Sequence, residues 1–228
     1  MKAFVYHSGG KDALAALHLF INNYGIYPQL LVCTVDEYDM VAAHQVHKSC
    51  IEAQAKSIEM PIQFITIPAF SANEVYEHII LKHLSLLKQE GYTHAICGDI
   101  FLEEIKNYRI VLHQKIGIEC IFPLWGINTQ ALNKQIIDLG IKAIVASVDT
   151  KYLPAYYVGA EYDKEFIKNL PDSIDPCGEN GEFHTFVYNA SLFQYRLEIE
   201  MGKTGEVSYN INTPYATTMA YQEISCVQ

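Results

Sequence analysis

Apolar positions alternate between two rhythms through the first two thirds of the chain. Residues 2–6 are a short β-rich run. After a glycine-bearing loop, Leu14, Leu17 and Ile21 follow at three- and four-residue intervals, the spacing of one helical face. Residues 29–35 enclose a second buried strand, LLVCTV, and 44–58 read as a helix with Ile51, Ala55 and Ile58 aligned. Pro61 ends that helix ahead of a strand at 62–67. Ser71 and Glu74 have capping-box spacing and open a helix reaching about residue 90, with Gly91 as its stop. A strand at 94–97, a helix at 101–116 and a strand at 119–122 follow, then a helix capped by Thr129 and ended by Gly140, then a strand at 142–148. This alternation predicts an α/β fold, a doubly wound and mainly parallel sheet with helices on both faces.

Beyond residue 150 the rhythm changes. A tyrosine-rich loop bearing Tyr152, Tyr156 and Tyr157 leads to a short helix at 163–170 and then to the polar stretch DPCGENGEFHTF. Strands are expected at 185–188, 195–201 and 206–211, the last two joined by a Gly202-Lys203-Thr204-Gly205 hairpin turn. The organisation expected is a nucleotide-type domain over 1–125 and a smaller α+β substrate or acceptor domain over 126–228.

With 228 residues the chain can bury a sizeable core. Its net charge of −10 argues against nucleic acid as a partner, because phosphate binding needs clustered Lys and Arg. No apolar run approaches a membrane span, and the N-terminus enters strand-like sequence at once, so a cytoplasmic protein is expected. The six cysteines are scattered with no C-x-x-C pair, which disfavours a zinc or dithiol centre. Cys177 reads as a packed thiol, since no base is paired with it in sequence.

The segment Ser8-Gly9-Gly10-Lys11-Asp12 joins the first strand directly to a helix start. Adjacent glycines let a backbone turn tightly, and loop N–H groups with a helix N-terminus form an anion site. Ser8 adds a hydroxyl and Lys11 a mobile positive charge. Asp12 would repel phosphates unless a cation intervenes, so it implies Mg²⁺ or a role in fixing the loop. Asp36 follows the second strand and Gly98-Asp99 the fourth, where doubly wound sheets bind ligands. Arg109, on the helix after Asp99, could meet an anion or simply lie exposed. His44 and His47 share an i, i+3 spacing that a metal could use, but no third ligand is in sight.

These residues carry a resemblance. The loop resembles the S-G-G-x-D-S motif of the ATP pyrophosphatase superfamily, with Ala13 replacing the final serine. Together SGGKDA, HQVHKSCIEAQA, GDIFLEEIKNYR, FPLWG and DPCGENGEFHTFV look like the diphthine–ammonia ligase family, in a form closer to its bacterial branch. The resemblance covers nearly the whole chain. It implies an adenine nucleotide alpha hydrolase-like first domain using ATP and Mg²⁺ to adenylate a carboxylate, which passes to ammonia as an amide. On it, Ser8, Gly9, Gly10, Lys11, Asp12, Asp36, His44, Gly98 and Asp99 bind the nucleotide, and Asp12 the metal. Glu179, Glu182 and His184 are the catalytic candidates. The acceptor is left open, and a homodimer is considered. Two departures fall at the loop: Ala13, and His7 where an aromatic or apolar residue is expected. The rival readings are a nucleotide sensor or adaptor without turnover and a tRNA-modifying ATP pyrophosphatase.

Overall fold

The computed structural model describes residues 1–209 and 216–227. Its first sheet is built from β1 (Ala3–Tyr6), β2 (Leu30–Val35), β5 (Ile62–Thr66), β6 (His94–Ile96) and β7 (Glu119–Ile121), in the order β5-β2-β1-β6-β7. Every pairing in it is parallel. β1 lies between β2 and β6, so the order reverses beside it and a crevice opens beyond its carboxyl end. Helices α3 (Asn73–Gln89) and α4 (Glu103–Gln114) cover one face, with Ile80, Leu84 and Leu112 packed on Phe4, Val32 and Ala95. Against the other face lie α1 (Lys11–Tyr24) and α2 (Lys48–Ile58). α1 forms because Leu14, Leu17 and Phe20 recur on a stripe that is wholly buried. No helix among the described residues is long and apolar enough to cross a membrane.

The second sheet is antiparallel, with order β10-β11-β8-β9. It comprises β8 (Lys142–Asp149), β9 (Phe183–Asn189), β10 (Glu198–Tyr209) and β11 (Thr217–Val227), with α5 (Thr129–Asp138) and α6 (Lys164–Asn169) beside it. The strand at 142–148 therefore does not continue the parallel alternation. Ala143 and Val145 enter one core cluster while Ile144 and Ala146 enter another. A strand buried on both faces shows no period of two, so its pattern mimics a parallel strand.

Four local expectations change. The helix expected from residue 44 starts at Lys48; before it, β3 (Met40–Val41) and β4 (Val46–His47) form a two-stranded ribbon. Ala43 and Gln45 hold positive φ there, which no helix permits. His44 and His47 thus do not share a helix face, and His47 instead caps α2 by accepting from Ser49 N. Ser71 does not cap α3; its hydroxyl bonds the Pro68 carbonyl, and Ala72 stands at the cap. Asn128 rather than Thr129 caps α5. The 202–205 segment is no hairpin turn either. β10 runs through it with an irregularity between Met201 and Thr204 and pairs with β11. Of the strand expected at 206–211, residues 210 and 211 lie outside the described residues.

Candidate active site

The loop after β1 is shaped jointly by both sheets. Gly9 turns it at φ +82°, and its carbonyl accepts from Val187 N on β9 at 2.9 Å and from the Gln54 amide at 3.0 Å. Lys11 N donates to Thr185 Oγ1 at 3.1 Å. α1 has no side-chain cap at Gly10, which leaves N-terminal N–H groups for another acceptor. Gln54 is the hub: its amide nitrogen also reaches the Val187 carbonyl, and its oxygen meets His7 Nε2 at 2.8 Å. Since the Gln54 nitrogen is spent on carbonyls, His7 must be the donor in that pair. Burial pushes the His7 imidazole down to about 4, which keeps it neutral in this role. His7 is thus a latch for the loop. Gln54→Leu would leave His7 Nε2 without its acceptor, remove the Gln54 donor from the Val187 carbonyl and leave the Gly9 carbonyl with Val187 N alone, and should cost about 2–4 kcal/mol. Thermal melting would register it.

A cavity of about 300 Å³ opens beside this loop. Ser8, Asp12, Ala13, Gly98, Asp99, His44, Glu179 and His184 line it, together with Tyr6, Tyr76 and Arg109. Gly98 is needed for packing: a Cβ there would stand 3.1 Å from the Asp12 carbonyl carbon and oxygen. Asp12 Oδ2 holds the Lys11 ammonium at 2.9 Å, while its Oδ1 is buried with no partner. Burial raises the Asp12 carboxyl, and Lys11 offsets this only in part.

The DPCGENGEFHTF segment reaches across from the second sheet. Asp175 Oδ1 accepts from Cys177 N and Glu179 N and sets the bend. Gly178 takes φ +70°, where a Cβ would lie 2.7 Å from the Phe183 carbonyl, so only glycine fits. Glu179 Oε1 then accepts from Ile100 N at 2.7 Å, just past β6. Burial raises the Glu179 carboxyl to about 7 despite those N–H bonds, with Asp12 adding to the rise. His44 and His184 lie with ring centroids 4.7 Å apart. His44 Nδ1 donates to the Thr185 carbonyl at 3.0 Å, and burial pushes its imidazole down to about 4. His184 is lowered as well, by burial and by His44.

The sequence matches the diphthamide synthase N-terminal domain over residues 1–119 and the diphthamide synthase C-terminal domain over residues 128–224. The chain belongs to the diphthamide synthase family. Among its relatives is the diphthine–ammonia ligase of Bos taurus, 23% identical over 246 residues, covering 95% of this chain and 89% of that protein. The diphthine–ammonia ligase of Homo sapiens is 23% identical over 230 residues, 88% of this chain and 83% of that one. The Schizosaccharomyces pombe diphthine–ammonia ligase is 23% identical over 236 residues, covering 92% of this chain but 38% of its own length.

In this diphthamide synthase family member, several candidate residues are placed otherwise than expected. Lys11 is not a mobile cation. Its side chain is 1% exposed, with the ammonium on Asp12 and the Cys177 carbonyl and about 5 Å from the Tyr162 and Phe183 rings. Burial pulls its pKa down, but Asp12 and Cys177 more than reverse this, so it stays charged as a strut between the two sheets. Glu182 is 2% exposed and outside the cavity; its carboxylate accepts from Asp175 N, Asn180 N and Asn180 Nδ2. Asp36 closes a turn by accepting from Tyr38 N and Met40 N, and faces a neighbouring cleft. Cys177 is a packed thiol, pushed up to about 12 by burial. Missed altogether were Gln54, Thr185 and Asp175. Gln54 had a signal: it is a polar residue on the same helical face as Ile51, Ala55 and Ile58.

Proposed function

We propose that this protein is an ATP-dependent, amide-forming ligase, which adenylates a carboxylate, releases pyrophosphate and transfers the acyl group to ammonia. What carries the reading is the meeting of Glu179, from the second-sheet loop, with Ser8 and Asp12 of the loop after β1 in one cavity. The names of the relatives favour the same class. We also take the boundary between the two domains to fall near residue 125, in the gap between the two family matches.

The acceptor's carboxylate oxygen attacks the α-phosphorus, and the bond to the leaving pyrophosphate breaks. Ser8 and the N-terminal N–H groups of α1 receive the leaving anion, so the loop works by position and charge. The orphaned Asp12 Oδ1 suits a cation. No cluster of three or more His, Cys, Asp or Glu able to hold a metal occurs among the described residues. Mg²⁺ would thus be held by Asp12 together with phosphate oxygens, and when bound it would neutralise the departing charge. In the second half, ammonia attacks the acyl carbon and AMP leaves. The amine nitrogen must lose a proton, and the Glu179 carboxylate, titrating near 7, accepts it. Neutral His44 and His184 flank the site without adding charge.

Incubation with ATP, Mg²⁺, ammonium and a panel of carboxylates should give AMP and pyrophosphate in equal amounts, read by ion-exchange chromatography. ADP and inorganic phosphate would overturn the assignment.

A further inference from the structure

With Lys11 withdrawn into the junction, the cavity's charge is unbalanced. Asp12, Asp99 and Glu179 stand on its walls, and burial lowers the pKa of its three histidines, His7, His44 and His184. Among the described residues lining it, Arg109 is the one permanent cation. α4 carries it to the cavity wall. Its Nε lies 3.1 Å from Asp99 Oδ1 and 2.9 Å from Oδ2, and its Cζ sits 5.3 Å from the Tyr6 ring centroid. Those contacts fix the plane of the guanidinium yet use one of its N–H groups. Among the described residues the two terminal nitrogens donate to no protein acceptor. A half-buried, pre-oriented guanidinium with free paired donors is built for a multi-oxygen anion.

We propose that Arg109 grips the non-bridging phosphate oxygens of the bound nucleotide, supplying the positive charge that the sequence had suggested Lys11 would bring. The inference rests on the ATP reading above. A triphosphate is the most highly charged anion that this site has to accept, and three carboxylates on the walls oppose it. The α1 N-terminus and Arg109, from two separate elements, answer that charge together. Asp99 is then a positioning residue that aims the fork rather than a ligand of the nucleotide.

The test is calorimetric titration of wild type, Arg109→Lys and Arg109→Ala with α,β-methylene-ATP and Mg²⁺, and in parallel with adenosine. Expected is a loss of affinity for the nucleotide analogue of about 10- to 100-fold in Arg109→Ala and a smaller loss in Arg109→Lys, with adenosine affinity unchanged. Added methylguanidinium should restore part of the Arg109→Ala loss and leave wild type unaffected. Unchanged analogue affinity in Arg109→Ala would overturn the proposal and leave Arg109 to the acceptor's carboxylate. Equal losses for analogue and adenosine would overturn it in favour of a strut that only shapes the cavity. Wild type that binds neither compound would take down the ATP reading itself, a failure distinct from either.

Discussion

Glu179→Gln is expected to cut AMP-forming turnover by about 10²- to 10⁴-fold, the usual contribution of a general base, and to leave nucleotide affinity within a few-fold of wild type. Glutamine keeps the shape and can still accept from Ile100 N, so the variant removes the proton acceptor and little else. The wild-type rate should rise with pH through about 7, where the carboxyl ionises, and the residual rate of the variant should lose that inflection. Stability moves the other way. The folded carboxyl is raised from 4.5 to about 7, so the native state favours the protonated form. Ionisation costs the wild type stability that grows as pH climbs from about 4.5 and is fully developed above about 7. Glu179→Gln should therefore melt higher than wild type at pH 8, with the difference vanishing toward pH 4.5. Equal melting temperatures at both pH values would show that Glu179 is not held in a desolvated place.

Glu182→Ala should be the more damaging change to the fold, although Glu182 stands three residues from the proposed base. Its buried carboxylate ties Asp175 N, Asn180 N and the Asn180 amide, and so closes the bend that presents Glu179. Losing it strands donors in a poorly hydrated loop, at about 2–4 kcal/mol in total. Denaturant unfolding should show that loss as a lower midpoint. Glu182→Gln should recover part of it: an amide oxygen in the Oε1 place still accepts from Asp175 N and Asn180 Nδ2, and only Asn180 N is left facing a donor. Turnover should fall in both variants because Glu179 loses its registry with Ile100 N. A Glu182→Ala protein with wild-type stability and no turnover would return Glu182 to direct chemistry.

Much of this was legible in residue order. The strand–loop–helix at Ser8–Asp12 and the two glycines of the DPCGENGEFHTF segment depend on local backbone preferences, which act over a few residues. The five parallel strands were visible because each is bounded by turn residues and followed by a helix of clear period. β8 was visible as a strand and misplaced, because burial on both faces removes the alternation that tells antiparallel from parallel. The ribbon around His44 was hidden since a run with apolar spacing reads as helix until tertiary contacts bend it. Two such contacts are Ser147 to the Ala43 carbonyl and Gln45 to the Tyr209 hydroxyl.

The division is clearest among the charged residues. Local pattern pointed to Ser8, Asp12 and Asp99, and the family resemblance to Glu179 and His184; the structure brings all five to one cavity where its strand order reverses. Which acid faces the cavity and which faces its own loop could not be read from GENGEF, since Glu179 and Glu182 are chemically identical. That was decided by the turn at Gly178, which swings one carboxylate onto Ile100 N and buries the other among loop donors. Lys11, read in sequence as a mobile charge, and Arg109, read as either an anion contact or an exposed side chain, are placed for the same reason. A charge takes its role from whatever acceptors surround it, and those come from segments far apart in the chain. Asp12 and Cys177 hold Lys11 inside the junction, whereas Asp99 leaves most of the Arg109 fork free at the cavity wall.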